Sequence, residues 1–278
     1  MAKRPAEVFG FLTSDSSPEA LAARARYWCP FVDERCNKQS RLIAYPMGVC
    51  SVEYNGEAIA VCPRRFLQQK RVFENIADRY FGTRNDLILF SEVGLPTIGT
   101  FDYVMVKHRP LSSEIEDFIA IEFQTGQTTG TGKLVQALQD VIKGEDISDR
   151  TYAFGMNTYD VWKRSFTQIL NKGVVMEAWS KKIFWVVQAQ LFQYLVNRYH
   201  LTNMDTSLAH STVFALYDLQ VQGNQLYLRA REVRSVSVDS LFKAFRTNPA
   251  IPAREQFEKL LRAKLQAKLG FTLGNVPS

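Results

Sequence analysis

Two carboxylates and an amide give the first chemical signal in this chain. In DFIAIEFQTGQTTGTGK, residues 117 to 133, Glu122 and Gln124 stand two apart inside an apolar run, and side chains two apart on a strand share a face. Asp102, in FDYVMV, lies 19 intervening residues upstream of Glu122 and can come alongside if the two segments pair as strands. Two hard oxygen ligands converging at strand ends suit Mg2+, which activates water and stabilises charge on a phosphate. The chemistry implied is metal-dependent phosphodiester hydrolysis. A carboxylate inside an apolar strand is costly unless a cation compensates it. The competing account is an ion pair, with Lys107 or Lys133 as the partner.

Other reaction classes fit less well. A strand, a Gly/Thr-rich loop and a helix are the right elements for a P-loop, but Gln127 stands where the leading glycine belongs, and Leu134 replaces the magnesium-binding Ser/Thr after Lys133. The chain has only three histidines, His108, His200 and His210, and lacks a G-x-S-x-G elbow, which argues against a Ser or Cys hydrolase.

A second cluster lies near the N-terminus, as Cys29-x6-Cys36-x13-Cys50-x11-Cys62, with no cysteine downstream. In a reducing compartment four such thiols read as a tetrahedral site for iron or zinc rather than as disulfides. The alternative is free buried thiols acting as small hydrophobes. Between the last two cysteines, Asn55-Gly56 predicts a two-residue hairpin pairing Tyr54 with Glu57. An ideal ladder would aim Cys50 and Cys62 at opposite faces, so a shared metal needs the hairpin to break near Pro63.

Positioning these groups requires a sheet. Residues 64–81 carry Phe66, Phe73, Ile76, Ala77 and Tyr80 at helical spacing, ended by Gly82. Segments 86–95, 101–106 and IEDFIAIEFQT read as three strands, followed by a helix through Leu134, Val135, Leu138, Val141 and Ile142 that stops at Gly144. Residues 151–159 are expected as a fourth strand. Trp162, Phe166, Ile169 and Leu170 mark a helix stopping before Gly173. KKIFWVVQAQLFQYLVNRY fits either strand-then-helix or one helix. A hairpin should turn at Gly223-Asn224, and a basic C-terminal helix should bury Phe257, Leu260, Leu261 and Leu265, after a candidate linker near Pro249 and Pro252. This alternation predicts an α/β core, a mixed sheet flanked by helices.

Composition sets outer bounds. The chain has 278 residues, 46% hydrophobic and 22% charged, with a formal charge of +6, as in ordinary globular proteins with a mild bias towards polyanions. No run approaches the ~18 apolar residues of a membrane span, and MAKRPAEVFGFLTSD lacks a signal-peptide core; a cytoplasmic protein is expected, with no membrane partner.

GTFDYVMV followed by DFIAIEFQ resembles the PD-(D/E)xK nuclease core, in the variant where glutamine takes the place of the motif lysine. With four cysteines ahead of it, the chain resembles the NotI-type restriction endonucleases over the cysteine cluster and residues 64–160, and more loosely over NKGVVMEAWSKKIFWVVQ. The resemblance implies a restriction-endonuclease-like core over 69–278 behind a metal-binding region over 1–68. It implies a homodimeric, Mg2+-dependent type II endonuclease cutting duplex DNA at a palindrome, with iron on Cys29, Cys36, Cys50 and Cys62. Asp102 and Glu122 would bind Mg2+, Gln124 would orient water or phosphate, and a further acid is implied, Glu92 in LFSEVGLP or its rival Glu74. Phe101 stands where the family often has proline. DNA contacts are expected from Arg229 and Arg231 on one strand face and from Arg64. Two alternatives remain, a repair or recombination nuclease of low specificity and a non-enzymatic, metal-stabilised nucleic-acid-binding protein.

Overall fold

The computed structural model describes residues 3–247 and 253–266. The N-terminal part contains β1 (Lys3–Val8), β2 (Phe11–Leu12), α1 (Pro18–Arg26), β3 (Trp28–Cys29), β4 (Glu34–Arg35), β5 (Val49–Tyr54) and β6 (Glu57–Ala60), then a 3-10 segment, Pro63–Lys70, and α2 (Arg71–Tyr80). Strands β2, β1, β5 and β6 form one sheet in that order. The Asn55-Gly56 turn is as expected: both residues have positive φ, 56° and 84°, and Tyr54 pairs with Glu57.

The larger sheet carries β7 (Leu87–Leu95), β8 (Gly99–His108), β9 (Ile115–Gln124), β12 (Lys182–Gln188), β13 (Thr212–Gln222) and β14 (Gln225–Val236), ordered β14-β13-β12-β9-β8-β7. β7, β8 and β9 form an antiparallel meander. β9, β12 and β13 run parallel, and β14 returns antiparallel along β13. The connection from β9 to β12 carries the short strands β10 (Thr128–Thr129) and β11 (Gly155–Met156) and the helices α3 (Thr131–Ile142) and α4 (Thr158–Ala178); α5 (Ala189–Tyr199) links β12 to β13. α6 (Val238–Arg246) and α7 (Arg254–Gln266) follow. The sheet is mixed, as the pattern required.

Each face of this sheet has its own core. Ala120, Ile183, Trp185, Val187 and Phe214 pack with α3, α4 and α5, and this cluster continues into Met47 and into Val8 and Val52 of the N-terminal sheet. Ile119, Ile121, Phe123, Phe184 and Val186 pack on the other face with Phe73, Ile76 and Ala77 of α2. The alternation along β9 therefore separates Glu122 and Gln124 from α2.

Four expectations change and one left open is decided. Residues 64–81 are not one helix, because Gln68 and Gln69 leave helical geometry. There Gln68 Nε2 donates to Leu226 O at 3.0 Å and its Oε1 accepts from Leu228 N at 2.8 Å; a buried polar network outweighs helical continuity. Residues 151–159 contribute only β11, which pairs with β10 outside the main sheet. α4 runs through Gly173, where an added Cβ would meet Val238 Cγ2 at 2.9 Å and Thr212 Oγ1 at 3.2 Å, so this glycine serves close packing rather than termination. The ambiguous 181–199 segment is strand then helix. The apolar stripe of α7 is exposed, with Phe257 at 61% and Leu265 at 76%: amphipathicity supplied the face, and no described element covers it. The candidate linker lies partly outside the described residues.

Candidate active site

The register of the meander places the acids in a row. β8 and β9 pair through Tyr103 and Ile121, which puts Asp102 opposite Glu122. Beyond that pair the strands are latched by side chains: Phe123 N donates to Asp102 Oδ2 at 2.8 Å, and Asp102 N donates to Glu122 Oε1 at 3.3 Å. On the next strand Glu92 falls between the pairs Ser91–Tyr103 and Val93–Phe101. Its φ of 53° is left-handed, a conformation that non-glycine residues adopt rarely and often at functional positions. On the other side of β9, Glu122 pairs with Trp185, whose buried indole Nε1 has no hydrogen-bond partner.

Burial and like charge dominate the electrostatics. Glu122 is 2% exposed; burial first, then the Asp102 charge, push its carboxyl up to about 7, against the opposing pull of Lys172. Asp102 is also raised, by burial and then by Glu92, while the Phe123 N–H and Lys172 oppose. Crowded, desolvated carboxylates of this kind favour a bound cation. The rival acid Glu74 does not reach the site: it lies on α2, against the other face of the sheet, and is ion-paired with Arg84 at 2.9 Å.

A polar line on α4 closes the site. Ser165 Oγ donates to Gln124 Oε1 at 2.6 Å, Gln124 Nε2 reaches Gln168 Oε1 at 3.4 Å, and Lys172 Nζ donates to Glu122 Oε1 at 2.7 Å. The ion pair expected as an alternative thus exists, with a different partner. Lys107 pairs with Glu116 and Lys133 with Gln136. The sequence reading missed Ser165, Gln168 and Lys172. The available signal was polar residues at helical spacing, with Ser165 and Lys172 as buried as the Ile169 and Met176 beside them.

The Gly/Thr loop is tied down by main-chain hydrogen bonds. Gly126 N donates to Ala60 O at 2.8 Å and Asn157 N to Gln127 O at 2.7 Å. These bonds stitch the loop to the N-terminal sheet and to the start of α4.

The segment that carries these residues matches a known family. The restriction endonuclease NotI family model covers residues 19–228. The chain belongs to the NotI restriction endonuclease family. No curated protein matches it significantly. A NotI-family chain is a restriction endonuclease, and its substrate is DNA.

The cysteines of this NotI-family chain are buried and free of disulfides. Burial raises the thiols of Cys29, Cys50 and Cys62; the charge of Cys62 raises Cys29 and Cys50, and that of Cys36 raises Cys29 and Cys62. Cys29, Cys50 and Cys62 thus each feel the charge of another cysteine, and soft, reduced sulfur donors suit iron or zinc. Among the described residues, however, no three His, Cys, Asp or Glu side chains are grouped to hold a metal ion. Of the arginines expected at DNA, Arg64 pairs with Glu34 at 2.6 Å and Arg231 with Asp218 at 3.1 Å, whereas Arg229 meets the neutral Gln220. Among the described residues no helix is long and apolar enough to cross a membrane.

Proposed function

We propose that the chain is a type II endonuclease that hydrolyses phosphodiester bonds of duplex DNA at a specific palindromic site, with Asp102 and Glu122 holding Mg2+. The observation that carries this reading is the row of Glu92, Asp102 and Glu122 across three adjacent strands, latched by main-chain hydrogen bonds, in a NotI-family chain. Magnesium sites need only one or two protein carboxylates, which this pair supplies. When bound, the ion stabilises charge on the phosphate and lowers the pKa of its water. Ser165 holds Gln124 Oε1 and Gln168 takes one Nε2–H, so Gln124 keeps one N–H donor to orient water or a phosphate oxygen without acting as a base. Glu92 completes the acidic row from an exposed position on β7. The four cysteines hold a structural iron or zinc in this reading, and the enzyme acts as a homodimer.

Plasmid DNA digested with Mg2+ tests the reading. Discrete fragments are expected, and none from Glu122→Ala. A smear would indicate a nuclease of low specificity, and no cutting would leave a nucleic-acid-binding protein. Sequencing the fragment ends gives the recognition site.

A further inference from the structure

The acidic row contains one buried cation. Lys172 is 4% exposed, and its Nζ donates to Glu122 Oε1 and to Thr100 O, each at 2.7 Å, while lying 5.3 Å from the centre of the Phe101 ring. An ammonium has three donors, and these two contacts use two. Around it stand Asp102, Glu122 and the more exposed Glu92, with neutral Gln124, Ser165 and Gln168 completing that side. Three carboxylates carry more negative charge than one Mg2+ balances, so an approaching phosphodiester still meets repulsion that a fixed positive charge would offset.

We propose that Lys172 is a catalytic residue of this site, the fixed protein cation whose remaining N–H donates to the reacting phosphate or its attacking water. The proposal rests on the nuclease reading above. Two features argue against a purely structural pin. A buried Lys–Glu pair is replaceable by apolar side chains without loss of stability in many proteins, so packing alone does not require it. Lys172 also continues the line of Ser165 and Gln168, both already turned to Gln124, so a whole edge of α4 is committed to the site. Lys172 moves no proton in this scheme; it holds charge and orientation.

Lys172→Met, Lys172→Arg and Lys172→Met/Gln124→Lys separate the roles. For Lys172→Met the cleavage rate at saturating DNA should fall by about 100-fold or more, with KM, and duplex binding measured in chelator, changed by less than about threefold. The variant strands the buried Glu122 carboxylate, so its Tm should fall, and rates are compared well below each variant's melting transition. Lys172→Arg, and a lysine placed at 124 beside the same helix edge, should each recover about tenfold or more of the lost rate. The proposal is overturned if Lys172→Met cuts within about tenfold of the parent. It is equally overturned if the lost rate is matched by lost duplex binding, with neither cationic variant recovering it. Failure of the parent protein itself to cut DNA would sink the nuclease reading; an active parent beside an equally active Lys172→Met sinks only the role of Lys172.

Discussion

Glu122 concentrates the physics of the site at the residue scale. Its carboxyl is raised to about 7 by burial and the Asp102 charge, so the metal-free folded protein binds a proton there more tightly than the unfolded chain does. The sign follows directly: the associated stability is fully present below the ordinary glutamate value and is lost as pH rises through about 7. Denaturant titrations in chelator should show the parent losing up to about 3 kcal/mol relative to Glu122→Gln between pH 5 and 8, and a constant difference would refute the assignment. The Arg65–Glu7 pair offers a contrasting case. Arg65 Nε meets Glu7 Oε2 at 2.7 Å, with both side chains at or below 1% exposure, and Arg65 also donates to Leu226 O and to Gln68 Oε1. Arg65→Met strands a buried carboxylate and should cost about 3–5 kcal/mol by urea unfolding, a loss that Arg65→Met/Glu7→Leu should largely restore. The sequence showed Arg64 and Arg65 side by side; only the fold assigned Arg65 to the interior.

α4 is the element on which the site depends. Gly173 lets the helix approach Val238 of α6 and Thr212 of β13 closely, and the neighbouring residue is Lys172. Gly173→Val should displace the helix, lowering stability by about 1–3 kcal/mol and cutting activity more than duplex binding, as thermal melts and paired rate and binding measurements would show. Unchanged activity would mean that the helix tolerates the shift. Period-two alternation made β8 and β9 readable, since the run 119–123 of β9 is buried on both faces and Glu122 is its lone acid. The helix was misread for a physical reason: glycine is both a terminator and a close-packing residue, and local sequence does not tell the two apart. The same holds at Gln68, where tertiary hydrogen bonds override helical periodicity.

At the scale of the whole molecule, charge and open surfaces are at issue. Arg229 faces a neutral amide whereas Arg64 and Arg231 face carboxylates, so Arg229→Ala should reduce the salt dependence of duplex binding by about one counterion. Arg64→Ala should leave that slope unchanged. β7 is the outer strand of the sheet, with Ile88, Leu89 and Phe90 exposed at 37–49%; such an edge invites pairing and supports the homodimer reading, which sedimentation of the parent and of Phe90→Lys would check. Elemental analysis of protein never exposed to chelator should find about one iron or zinc per chain, and less than about a tenth would remove the four-cysteine metal site. By itself the sequence determined the chemistry on offer, Asp102, Glu122 and Gln124 on β-prone segments and a four-cysteine cluster ahead of them, because residue type and strand period are local properties. Only the tertiary structure decided which acid joined them, that Lys172 rather than Lys107 or Lys133 answers Glu122, and that α7 keeps an uncovered apolar face. Those outcomes depend on contacts between segments distant along the chain, such as the 50 residues separating Lys172 from Glu122, and no local pattern encodes them.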